Sequence, residues 1–272
     1  MPTTTPLTDA INALTTYANE TTGAGDTTLS EAVNTLVEGY GQGGGGFSIE
    51  DYLGHQFTGS ATLTDSNVGY FSLQKQTGIT SLSFPNVTTL ANVSTGGFSE
   101  MTGLTTFYAP KAQRQPGSLL NGCSSLVNVN LDGLEDTGNL LLSYCTSLTT
   151  VVLPSVKNIY SQTVRGCTNL EAFDVLASNG FTNQNNMNGC TKLNKLIIRK
   201  NGVATLSNVN NFTGTPFASG GTGGEIYVPS AQISSYKTAN NWSTIHGYGT
   251  ITWKAIEGSY YETHYADGRT IE

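Results

Sequence analysis

Apolar residues recur through the middle of this chain in one fixed line. A leucine is followed by two mixed residues, an apolar residue, one residue of any kind and a second apolar residue. The line reads Leu104-Thr-Thr-Phe107-Tyr-Ala109, Leu126-Val-Asn-Val129-Asn-Leu131, Leu148-Thr-Thr-Val151-Val-Leu153, Leu170-Glu-Ala-Phe173-Asp-Val175 and Leu193-Asn-Lys-Leu196-Ile-Ile198. The leading leucines fall at steps of 22, 22, 22 and 23. Alternate residues of an extended segment share a face, so positions four and six point inward and position five outward. Position one joins the inward set through a bend, and positions two and three face out. Pro85, Pro110 and Pro154 follow the strand line and end pairing, since proline carries no N–H.

Further columns keep the same register. Met101, Cys123, Cys145, Cys167 and Cys190 stand three residues before the leading leucines. Phe98, Leu120, Leu142, Val164 and Met187 stand three before those, and Val87, Ala112, Leu134 and Val156 follow the strands. Ile79-Thr-Ser-Leu82-Ser-Phe84-Pro85 is a clear upstream copy, Ala61 to Gly78 a worn one, and Ile226-Tyr-Val228-Pro229 a downstream ending. A coil of this length cannot bury its apolar side alone, but stacked coils build one continuous core. The period predicts a β-rich solenoid, a leucine-rich repeat array of about seven or eight coils with about 22 residues per coil. The four cysteines, sharing one column and lacking any zinc-type spacing, are expected as reduced, buried, small apolar fillers.

The pattern C-x-x-L-x-x-h-x-h-P followed by h-x-x-C resembles the BspA-like leucine-rich repeats, and residues 145–167, CTSLTTVVLPSVKNIYSQTVRGC, match it best. The stretch GGEIYVPSAQISSYKTANNWSTI at 223–245 is similar to the terminal segment common in that family. The resemblance covers about residues 57–250. It implies the fold and carries no catalytic residues. Family members include bacterial surface adhesins and proteins carried on phage particles.

Upstream the pattern changes. Leu7, Ala10, Ile11 and Leu14 have helical spacing, as do Leu29, Val33, Leu36 and Val37, and Gly43 to Gly46 follow. This short helical leader resembles the leaders of phage tail and fibre proteins. Two helices so short do not make a stable domain alone, so Leu7, Ile11, Leu14, Val33, Leu36 and Val37 are read as an attachment or oligomerisation surface, with capping of the solenoid as the alternative. The divisions expected are a leader at 1–42, a Gly-rich linker and N-terminal cap at 43–60, the solenoid at 61–229 and a mixed C-terminal cap at 230–272. In that cap a helix runs from Ser230, a strand covers 248–256, and Asp267-Gly268 turns a hairpin. Trp242, Tyr248, Trp253, Tyr260, Tyr261 and Tyr265 are expected to form its core, with a tip or oligomer surface as the alternative.

Composition narrows the function. Charged residues make up 11% of the chain, there are 32 glycines, and 12 Lys and Arg stand against 19 Asp and Glu for a net charge of −7. With no basic run, nucleic-acid binding is not expected. No membrane-spanning stretch is expected either. The opening MPTTTPLTD has no basic region with an apolar run behind it, which favours a virion over export to a bacterial surface. No nucleophile, phosphate-loop or metal motif is found, so neither enzyme, cofactor nor metal is expected. Glu171 and Asp174 face outward together and are read as solvated surface carboxylates. The candidate ligand face is Thr105, Tyr108, Asn128, Asn130, Thr149, Val152, Glu171, Asp174 and Lys195. The combined expectation is a non-enzymatic phage structural or adhesion protein, a homo-oligomer, bound to other virion proteins through the leader and to a host-surface protein or glycan through the solenoid. A bacterial cell-surface adhesin is the alternative.

Overall fold

A computed structural model describes residues 73–90 and 96–271, together with the strands at 5–6 and 57–62. Among the described residues thirteen strands form three parallel sheets. The first holds β1 (Thr5–Pro6), β2 (Phe57–Thr62), β3 (Ile79–Ser83), β4 (Thr106–Tyr108) and β5 (Asn128–Asn130) in that order. The second runs β6 (Thr150–Leu153), β8 (Ala172–Val175), β10 (Lys195–Ile198), β12 (Gly224–Val228) and β13 (Ile251–Ala255). On another side of the coils β7 (Asn158–Ile159), β9 (Gly180–Phe181) and β11 (Thr205–Leu206) make a narrow third sheet. The repeat line sets the register, with Leu82, Phe107 and Val129 side by side and Val151, Phe173, Leu196, Ile226 and Trp253 likewise.

The five leading leucines are fully buried, as are Phe107, Val151, Phe173 and Leu196 at position four. Phe84, Phe98 and Phe107 pack at centroid distances of 5.3 to 5.6 Å near one end. Toward the other end Trp242 meets Phe181, Phe212, Tyr236 and Trp253 at 5.2 to 6.1 Å. Two short helices, α1 (Ile233–Thr238) and α2 (Trp242–His246), carry Tyr236, Trp242 and Ile245 into this core.

Each coil turns through left-handed backbone. Glu100, Gly122, Tyr144, Gly166 and Gly189, one in each of five coils, all have φ between 57° and 78°. Each directs its N–H to the next coil: Glu100 to Asn121 O, Gly122 to Ser143 O, Tyr144 to Arg165 O, Gly166 to Asn188 O and Gly189 to Thr213 O, at 2.7 to 2.9 Å. Glycine takes this conformation without steric cost, while other residues pay about 1–2 kcal/mol. The cysteine that follows is more than filler. Cys123, Cys145, Cys167 and Cys190 are free and fully buried, and their Sγ–H groups donate to Phe98 O, Leu120 O, Leu142 O and Val164 O at 3.0 to 3.2 Å. A second buried ladder is polar: Thr137 meets Thr163 at 3.0 Å, and the Asn186 N–H donates to Asn211 Oδ1 at 2.9 Å.

Several expectations are corrected. Residues 57–60, read as linker and cap, belong to a strand that pairs in parallel with β3, and the boundary placed at 61 falls inside it. The strand expected at 248–256 forms as β13, Ile251–Ala255, and it continues the main sheet beyond β12. Thr5–Pro6 pairs with β2. The leader stripes Leu7, Ile11, Leu14, Val33, Leu36 and Val37 lie outside the described residues.

Two predictions follow from the turns. Burial pushes the Cys123 and Cys190 thiols up to about 12 and raises Cys145 and Cys167 well above their ordinary value. A raised thiol pKa means almost no thiolate at pH 8, so native protein should resist a disulfide reagent there and release four thiols on denaturation. Native labelling at the denatured rate would exclude the buried ladder. Gly166→Ala should destabilise more than Gly189→Ala in urea melts. Both residues are left-handed, which costs about 1 kcal/mol, but a Cβ on Gly166 would lie 2.5 Å from the Tyr144 ring, whereas one on Gly189 meets nothing closer than 3.7 Å. Equal losses would rule out the ring contact as the cause.

Candidate ligand-binding face

The repeat line offers one outward residue at position five of every strand. In chain order these are Ser83, Tyr108, Asn130, Val152, Asp174, Ile197 and Tyr227. Their exposure divides the sheet in two. Ser83 and Asn130 are half-buried and Tyr108 is 40% exposed, whereas Val152, Asp174, Ile197 and Tyr227 are buried. The covering element is the C-terminal segment 259–271. It folds as a hairpin, with His264 bridging Thr270 and the Tyr265 N–H donating to Arg269 O at 2.8 Å around Gly268. Instead of closing the end of the stack, it doubles back as a strap across the sheet.

Two arginines fasten the strap. Arg199, just past β10, forks onto Asp174 with Nε on Oδ1 and Nη2 on Oδ2, both at 2.6 Å. The same guanidinium donates to Tyr261 O at 2.8 Å and His264 O at 2.9 Å and lies 4.9 Å over the Tyr265 ring. Asp174 also accepts the Ala266 N–H at 2.9 Å. Burial pushes the Asp174 carboxyl up from its ordinary value, while the Arg199 bonds and charge and the Ala266 N–H pull it down. Asp174 is therefore no surface carboxylate and no ligand-face residue: it is 1% exposed. Val152 is likewise lost to the outer surface, at 4%. The second fastening joins Arg269 of the strap to both carboxylate oxygens of Asp132, Nη2 to Oδ1 at 3.0 Å, while Arg269 Nε holds Asp267 at 2.7 Å. Tyr227 packs edge to face at 4.7 Å against Tyr261 of the strap.

What stays open is a groove of about 410 Å³ over β4, β5 and β6. Thr106, Tyr108, Asn128, Asn130, Thr149 and Thr150 line it with Val127, and Asp267 and Arg269 of the strap form one wall. The main-chain ladder is interrupted here: β5 and β6 belong to different sheets. The turns still stack across the break, Gly122 N–H to Ser143 O at 2.8 Å and Leu120 N–H to Leu141 O at 3.0 Å. Of the expected face, Tyr108, Asn128, Asn130 and Thr149 converge on the groove, and Val152 reaches its edge while buried. Thr105 and Glu171 are exposed and Lys195 is half-buried, all outside the lining. Arg199, Asp132 and Arg269 were not among the expected residues, and their partners lie 25 and 137 positions away in sequence.

Among the described residues no group of three His, Cys, Asp or Glu side chains could hold a metal ion, and no helix is long and apolar enough to cross a membrane. The aromatic residues expected as one cap core divide. Trp242 is buried and packs against Trp253 at 6.0 Å, while Tyr260 is 55% exposed and Tyr261 and Tyr265 belong to the strap.

Residues 66–194 match a family model described as BspA type leucine rich repeat region, in six copies. No curated protein matches the chain. Among solved structures it is similar to a leucine-rich repeat protein from Bacteroides ovatus, with 24% sequence identity and a TM-score of 0.41. The match covers 52% of this chain and 37% of the other, so this chain spans just over a third of that protein's length.

The two fastenings differ in burial, and truncation should separate them. Asp174→Ala strands Arg199, whose side chain is 13% exposed, and should cost about 3 kcal/mol or more. Asp132→Ala breaks a pair that is 30% and 38% exposed and should cost about 1 kcal/mol or less. Urea melts give both values, and limited proteolysis of the strap should accelerate far more in the Asp174 variant. Equal effects would refute the buried fork as the principal anchor.

Proposed function

With a BspA-type leucine-rich repeat region over residues 66–194, we propose that this protein is a non-enzymatic binding module that presents the open half of its sheet to a host-surface protein or glycan. The observation that carries this reading is the groove over β4 to β6, which the strap borders and leaves uncovered. Leucine-rich repeat domains are typically binding scaffolds. Their stacked coils supply a long, rigid face on which many weak contacts add.

In the fuller form of the proposal the module belongs to a phage virion, as a fibre, appendage or decoration. Residues 1–42 then dock on other virion proteins or on sister chains, through Leu7, Ile11, Leu14, Val33, Leu36 and Val37. The stripe spacing supports this, because short amphipathic helices need a partner surface, and several copies would raise a weak affinity by avidity. A bacterial surface adhesin is the second reading, favoured by the BspA-type repeat itself.

Two variants test the levels separately. Val127 is 51% exposed in the groove, so Val127→Asp should abolish binding to whole host cells and leave the melt unchanged. Retained cell binding would refute the face. Ile11→Asp with Leu36→Asp should leave a folded repeat domain and abolish assembly, read by light scattering and by mass spectrometry of purified particles. A protein found in the cell-surface fraction and never in particles would replace the virion reading with the adhesin one.

A further inference from the structure

The geometry points to an uncharged oligosaccharide, a run of neutral hexose units, as the ligand of the groove over β4, β5 and β6. This inference rests on the open face being the binding surface, and it adds the chemistry of what binds.

Charge is the first argument. Asp267 and Arg269 are the ionised side chains lining the groove, and with Asp132 they are closed on one another: Arg269 bonds both oxygens of Asp132 and one of Asp267. The cation is thereby committed to carboxylates that an acidic ligand would have to displace. The wall also offers no uncommitted anion to a basic one. A neutral ligand meets neither obstacle.

Hydrogen-bonding capacity is the second. Among the described residues, the side chains of Thr106, Tyr108, Asn128, Thr149 and Thr150 bond no other protein group, yet all five line one groove. Each can both donate and accept. A sugar hydroxyl does the same, so a row of such groups pairs with a sugar chain without any charged partner. An apolar partner surface seated here would bury these groups unpaired, which is unfavourable.

The third argument is the platform. Tyr108 and Val127, 40% and 51% exposed, put apolar surface among the hydroxyl and amide groups. A hexose ring has one face rich in C–H bonds, which packs on an aromatic ring while the ring's hydroxyls reach sideways. The volume of about 410 Å³ lies within the range of small-molecule sites, which is about 300–1,000 Å³.

Titration calorimetry of the full chain with uncharged gluco-, manno- and galacto-oligosaccharides, with hyaluronan as an acidic control, tests the inference. At least one neutral oligomer should bind, with an affinity unchanged between about 0.05 and 0.5 M salt because no ion pair is made. Tyr108→Ala should weaken that binding about tenfold or more, and Tyr108→Phe should retain most of it, with both melts unchanged. Binding to none of the neutral oligomers, preference for hyaluronan, or indifference to Tyr108→Ala would overturn it. The Val127→Asp variant keeps the two levels apart. If it loses cell binding while no neutral sugar binds, a protein partner takes the groove and only the ligand class fails. If it still binds cells, the face itself is wrong.

Discussion

Each coil of this solenoid completes its hydrogen bonding in the next one, and the rest of the structure depends on that dependence. The N–H of the left-handed residue, from Glu100 to Gly189, has its acceptor one coil ahead. The thiol of each cysteine has its acceptor one coil back. A coil of a different length would present these groups out of step, and buried polar groups without partners are costly. The period is thus held by hydrogen-bond geometry as much as by leucine packing. The polar ladder through Thr163, Asn186 and Asn211 repeats the logic on another side of the coil.

The strap gives an otherwise uniform face two different halves. Beneath it the sheet carries Val152, Ala172, Ile197 and Tyr227, a surface suited to burial, and Asp174 as a fixed point. Beyond it the same strand positions carry Ser83, Tyr108 and Asn130. The residues therefore change character where the cover ends. Arginine suits the fastening because its planar fork can bond a carboxylate on one edge and main-chain carbonyls on another. Lysine, a point charge, could not reproduce the four bonds of Arg199.

Much of the array could be read from the sequence. The strands at 79–83, 106–108, 150–153, 172–175 and 195–198 fall on the repeat line, because inward apolar residues at a fixed period have one stacked solution. The cysteine column was legible for the same reason. A further signal stood beside it: glycine precedes three of the four cysteines, at 122, 166 and 189, and marks the left-handed turn. Tyr144 occupies that position in the fourth and hides the rule. The face was only half legible. Tyr108 and Asn128 were identified from alternation alone. Asp174 and Val152 were misplaced because alternation says which way a side chain points and nothing of what lies over it. The cover comes from a tail far along the chain, whose Asp267-Gly268 turn announced a hairpin without announcing where it would lie.

The strap also changes how the molecule comes apart. In an open stack each coil touches only its neighbours, and fraying can begin at either end. Here the strap is tied back to Asp132, five strands inward from β13, and it crosses the break between β5 and β6 on its way. The stack becomes a loop closed by the strap. The C-terminal coils cannot peel away one at a time while the clasp holds, and the weakest seam of the sheet is bridged from outside. Such a closure brings distant parts of the chain together late, so it trades folding speed for an array that lets go as a unit.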